Sequence, residues 1–197
     1  MAALPQTAWA YASRAALAGV LLVAFMAFAW RRTKPSASAI AWGVFAGLAV
    51  CVLWILPEHF ETYRRLFVIG AETSGEASPS PYDPAVCGWT LTVAKLIGSA
   101  FIIAPAEELF FRSFLYRWIC GDGGNEQATM RFDISAFLWT VALFALEHNR
   151  WLAGAMAGAI YGILAIRKGL FAAIVAHVVT NLALGGYVIL RGEWAFW

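Results

Sequence analysis

Apolar residues fill long stretches of this chain, and polar residues gather in the shorter segments between them. A helix needs about 20 such residues to cross the hydrocarbon core of a bilayer, because every backbone group must be bonded within the segment. Trp9 to Trp30 carries only Arg14, and Ser38 to Leu56 carries no charge, so both read as spanning helices. Trp89 to Trp118 is apolar except for Lys95, Glu107, Glu108, Arg112 and Arg117. As a helix it would reach about 45 Å, too long for one straight perpendicular span. Pro105 near its middle removes a helix hydrogen bond, which predicts a kink or two helices meeting just before the glutamates. Ile134 to Leu146, Trp151 to Ile166 and Leu170 to Leu190 follow, joined by short connectors at 147–150 and 167–169. The pattern predicts an all-α fold, a polytopic transmembrane helical bundle of about six spans with a kinked or broken third. It reads as one integral-membrane domain over 1–197, with a polar loop at about 57–85 and a core at 89–190.

Composition agrees. The 197 residues are 61% hydrophobic and 13% charged, about half the charge of a soluble domain, so apolar surface must face lipid. Many of the ten tryptophans stand near span boundaries, as an aromatic belt would. A net charge of +2 with scattered Lys and Arg excludes a nucleic-acid footprint. Arg31, Arg32 and Lys34 follow the first apolar run instead of preceding it, which predicts a retained anchor and not a cleaved signal peptide. Alternating the sides sets eight cationic residues against five and places both termini outside. Cys51, Cys87 and Cys120 lie far apart and read as small buried hydrophobes. Phe60, Tyr63 and Phe67 recur at helical spacing within 58–68, either as an interfacial helix or in a solvated connector. Gly121-Asp122-Gly123-Gly124 lacks the context of a phosphate cradle and reads as a helix stop. Gly154, Gly158 and Gly162 form a stripe that lets another helix approach closely.

Ionisable groups inside spans cost about 2.5 to 3.5 kcal/mol each even on the lenient scale, so they need a reason. Glu107 and Glu108 are adjacent and point about 100° apart on a helix. Arg112, four residues beyond Glu108, makes a same-face ion pair with it, and Glu107 is left unpaired by its own helix. A carboxylate in that position suits a general base. His148 closes the fourth span. His177 and Asn181, four apart, aim at one interior point from the last. Glu107, His148, His177 and Asn181 together supply a base, a water-positioning imidazole and two oxyanion donors, the parts needed to hydrolyse an amide without a covalent intermediate.

Glu107-Glu108-x-x-x-Arg112, Phe144-x-x-x-His148 and His177-x-x-x-Asn181, in that order on apolar helices, resemble the three motifs of the CPBP family. This family contains the CAAX prenyl endopeptidases of the Rce1 type and their bacterial relatives, also called the abortive-infection family. The stretch from Phe144 to Trp197 further resembles a bacterial CAAX prenyl protease-related subset found alongside exosortase sorting systems. The resemblance implies an intramembrane glutamic endopeptidase of a bacterial inner membrane. Glu107 and His148 would activate water, His177 and Asn181 would stabilise the oxyanion, and Glu108 and Arg112 would support them. It implies a membrane-associated protein or peptide as substrate, with a possible link to an exosortase system. Prenyl recognition does not carry over, because the chain is shorter than the eukaryotic enzymes.

No cofactor is expected. An alternative within the same chemistry is zinc-dependent hydrolysis on Glu107, His148 and His177, although H-E-x-x-H is lacking. A different class is a non-catalytic membrane chaperone or immunity partner that uses the glycine face and the interfacial loop. A proton-coupled transporter would need a repeated pair of broken helices, and the two halves show none.

Overall fold

A computed structural model describes residues 9–20, 35–69, 80–121 and 130–197, and among these every regular element is helical. The helices are α1 (9–20), α2 (Ala37–Ile55), α3 (Glu61–Phe67), α4 (Pro84–Cys87), α5 (Trp89–Ile119), α6 (Ile134–Leu146), α7 (Trp151–Lys168) and α8 (Leu170–Arg191). The predicted first span falls partly outside the described residues. The Gly121 stop is seen as a helix end with φ +74°, while Asp122 to Gly124 lie outside the described residues.

Local chemistry sets the helix starts. Ser36 caps α2 by accepting from the Ala39 amide at 3.1 Å, and Asp133 caps α6 by accepting from that of Ala136 at 2.9 Å. α5 runs unbroken from Trp89 to Ile119, so the expectation of two separate helices is not met. It takes up Pro105 differently: π turns occupy Ser99–Ile103 and Leu109–Leu115 on either side of the glutamates. Proline has no amide proton to give the preceding turn, and the widened turn before it bonds Ala104 N–H to the Ser99 carbonyl instead.

Three described helices have the length and apolarity to cross a membrane: Ala37–His59, Trp89–Ile119 and Leu170–Arg191. The predicted span Ile134–Leu146 is a shorter apolar helix of 13 residues, about 20 Å by helix rise. Phe45, Val52, Phe101, Phe114, Leu138 and Trp139 turn their side chains outward, and Glu108, Arg112, His177 and Thr180 turn theirs inward. This polarity, apolar outside and charged inside, suits a lipid surround.

α8 is the central helix and packs most extensively on α2, with α7 and α5 on its other sides. Small residues carry that contact. A Cβ at Gly47 would stand 2.5 Å from the Ala176 carbonyl oxygen, so only glycine permits this approach. Ala39, Ala46, Ala172, Ala173 and Ala176 continue the close-packed seam. The glycine stripe of α7 faces α6 within the same chain: a Cβ at Gly158 would meet Phe144 at 3.1 Å, and one at Gly162 would meet Phe137 at 3.0 Å. That face is therefore occupied within the chain. α3 forms within the polar loop, where Phe67 packs on Trp151 at 5.3 Å between ring centroids.

Candidate active site

The middle of α5 presents two adjacent carboxylates to different surroundings. Glu108 is fully buried. Its Oε1 stands 3.2 Å from Nη1 of Arg112 and accepts from Nδ1–H of His177 at 3.0 Å. Arg112 also donates to the Gly158 carbonyl at 2.9 Å, and its guanidinium lies 4.7 Å from the Phe144 ring centroid. The same-face pair expected from the spacing of Glu108 and Arg112 is present, buried and extended to the histidine of α8.

Glu107 turns away from that network. Its side chain keeps 25% of its surface exposed, against none for Glu108, and Oε2 lies 3.8 Å from Nε2 of His177. This is too long for a direct hydrogen bond and is a separation that a bridging water can span. A carboxylate can only accept, so the Glu108 contact assigns the Nδ1 proton of His177 and directs Nε2 at Glu107. The imidazole is clamped by ring contacts, stacking on Tyr161 at 4.8 Å and meeting Phe144 edge-on at 5.8 Å. Tyr161 donates to Thr180 at 2.7 Å, and Thr180 donates to the carbonyls of Ala176 and Gly47, so the clamp is tied to α2 as well.

His148 lies in the connector between α6 and α7. Its Nδ1 is 2.8 Å from the Phe144 carbonyl, which can only accept, so Nδ1 carries the proton and Nε2 is the free basic atom of the neutral ring. Burial holds this imidazole below the ordinary histidine value, only partly offset by the hydrogen bond to Phe144. A Cβ at Gly154 would stand 3.2 Å from the Cβ of His148, so the glycine of α7 gives the ring its space. Asn181, one turn beyond His177, donates through Nδ2 to the Ser99 carbonyl at 2.9 Å. That carbonyl belongs to the π turn of α5 and also receives Ala104 N–H, so the amide ties α8 to the widened turn.

Glu107, His148, His177 and Asn181 all line one cavity of about 180 Å³. The connector after α6 turns His148 inward over Gly154. Among the described residues no three His, Cys, Asp or Glu side chains form a group that could hold a metal ion.

Residues 89–183 match the family model described as type II CAAX prenyl endopeptidase, Rce1-like. This segment, a little under half of the chain, is similar to an Rce1-like domain. Rce1-like proteins are a protease family, and the matched segment begins at α5 and ends two residues past Asn181. Neither the curated proteins nor the solved structures gave a match to the chain.

The cavity has walls that the sequence pattern did not assign. Lys95 and Ser99 line it from α5, Tyr161 and Thr180 from α7 and α8, Trp54 from the end of α2, and Phe196 and Trp197 from the turn after α8. Thr180 had a signal, since it follows His177 by three residues. Lys95 and Ser99 also share a face at a spacing of four. Phe196 and Trp197 had none: the closing turn is held by Arg150, which donates to the Ala195 carbonyl at 3.1 Å and stacks on Phe196 at 4.6 Å, and by Tyr187 of α8, whose ring meets that of Phe196 at 5.9 Å. Arg150 is itself anchored on Glu58 at 2.8 Å, 92 positions earlier in the chain.

Proposed function

We propose that this protein is a multi-pass intramembrane glutamic endopeptidase that hydrolyses a peptide bond of a membrane-associated protein or peptide with glutamate-activated water. One observation carries the reading: Glu107, His148, His177 and Asn181, from three separate segments, line a single cavity. Glu107 takes a proton from a water held between it and His148, and the water oxygen attacks the scissile carbonyl. The oxyanion that develops is met by an N–H of Asn181 not engaged with Ser99 and, in its doubly protonated state, by Nε2–H of His177. Glu108 and Arg112 fix the ring of His177 from behind, so these donors need no reorganisation during the reaction. Collapse of the intermediate passes the proton to the leaving amine and completes hydrolysis.

The reaction as proposed uses no metal. Elemental analysis of the purified protein tests this, since stoichiometric zinc would overturn it. The mechanism is tested by incubating detergent-purified protein with a peptide library and reading products by mass. Wild type is expected to cut a subset, and Glu107→Gln to lose that cleavage by about 10² to 10⁴-fold. Equal cleavage by both proteins would remove Glu107 from the chemistry.

A further inference from the structure

The cavity holds a second charge that hydrolysis does not use. Lys95 projects from α5 into the same space as Glu107. Its ammonium lies 4.2 Å from the ring centroid of Tyr11 and 4.8 Å from that of Tyr82, two rings that meet edge to face at 5.6 Å. The cradle is braced, because Tyr11 donates to the Lys95 carbonyl at 3.3 Å and Thr92 donates to the Tyr82 carbonyl at 2.9 Å.

Aromatic faces attract a cation but do not neutralise it and accept no full hydrogen bond. No carboxylate among the described residues comes within ion-pair distance of Lys95. An ammonium has three donors and no acceptor, so a group held this way inside an apolar bundle calls for an anion. Glu108, a fully buried carboxylate of the site, is already engaged by Arg112 and His177. Glu107 is on the same cavity wall but outside ion-pair distance, and its work is with water. Among the described residues Lys95 is thus a cavity cation held by aromatic faces and without an ion-pair partner, placed to receive an anion that enters the cavity.

We propose that Lys95 is the anion subsite of the cavity and receives a carboxylate of the substrate, either its free C-terminus or an acidic side chain near the cut. The inference rests on the endopeptidase reading and deepens it by naming what the peptide must carry. A substrate whose scissile carbonyl sits at Glu107 then has a carboxylate on one side of the cut, held at Lys95, and the two contacts fix the register of cleavage.

The test uses the full chain in detergent with matched peptides. One pair differs only in a C-terminal acid or carboxamide, and a second pair in Glu or Gln beside the cut. Wild type is expected to favour the carboxylate member of one pair by about tenfold or more, through KM, as a charge-assisted hydrogen bond would. The pair that shows the preference identifies the source of the carboxylate. In Lys95→Met the preference falls to about one, and in Lys95→Arg it is retained in part. No preference in either pair with wild type, or a preference undiminished in Lys95→Met, overturns the proposal. Binding of the fluorescein-labelled acid and carboxamide peptides to Glu107→Gln protein, read by anisotropy, separates the two readings. If wild type cuts nothing while this variant still prefers a carboxylate through Lys95, the hydrolytic reading has failed and the anion subsite stands. If cleavage occurs without any carboxylate preference, the reverse holds.

Discussion

Glu108 accepts the Nδ1 proton of His177 at 3.0 Å, although the two residues lie 69 positions apart, and through this bond the buried ion pair of α5 orients the imidazole of α8. The neighbouring glutamate is left facing the cavity. Two adjacent carboxylates thus divide the work, one for the fold and one for the chemistry.

That division predicts opposite phenotypes. Glu108→Gln leaves Arg112 as a buried charge without its partner, which costs about 3 to 5 kcal/mol. A clear fall in melting temperature is expected for Glu108→Gln. Glu107→Gln, on the cavity wall, is expected to keep the wild-type melt and lose cleavage. Thermal unfolding and peptide cleavage on the same two preparations check this, and a stable, inactive Glu108→Gln would contradict it.

His148 lies outside the helices it connects, and its pKa is held low by burial. Below the ordinary histidine value of about 6.5, the unfolded chain takes up a proton that the folded chain resists, so stability falls as pH drops through that window. The neutral ring with its basic Nε2 also persists to lower pH than in free histidine, which puts the acid limb of cleavage on the low side of that value. Between pH 8 and 5 the stability of wild type is expected to fall more steeply than that of His148→Gln, and equal slopes in the two sets of unfolding curves would show that other groups carry the dependence.

Gly154 makes room for His148, so a methyl group there presses on the ring. Gly154→Ala is expected to cost about 1 to 3 kcal/mol, the range for overpacking, and to reduce kcat more than KM because the imidazole is displaced. Gly158→Ala meets Phe144 instead, and its effect is expected mainly on stability. Kinetics on the two variants distinguish them.

Arg150 joins Glu58 to the closing turn that carries Phe196 to the cavity. Arg150→Leu frees this turn. KM is expected to rise several-fold with kcat little changed, since Phe196 and Trp197 line the cavity without touching Glu107 or His177 in any hydrogen bond. Deletion of 194–197 should reproduce the effect, and a deletion variant with wild-type KM would show that the turn takes no part in substrate binding.

Much of the site was readable before any coordinates. The spacing of Glu108 and Arg112 announced their ion pair, and its consequence, an unpaired Glu107, is what the cavity shows. His177 and Asn181 share a face of α8, as a spacing of four requires. Lys95 was not readable in the same way. It is twelve residues before Glu107, about 120° away on an uninterrupted α-helix, whereas one residue taken up by an intervening π turn removes a step of about 100° and brings the two within about 20°. Pro105 announced an interruption of α5 but not its form, since a kink, a break and a widened turn all answer the missing amide.

The chain's pattern alone determined an all-helical membrane protein with ionisable groups in its apolar segments, because apolar run length and the cost of burying an ionisable group are local properties. Only the tertiary structure decided that Glu107, His148 and His177 share a cavity. Helix phase beyond a π turn, the inward turn of the connector at His148, and the return of Phe196 and Trp197 through Arg150 all depend on contacts between residues distant in the chain. No local periodicity encodes them.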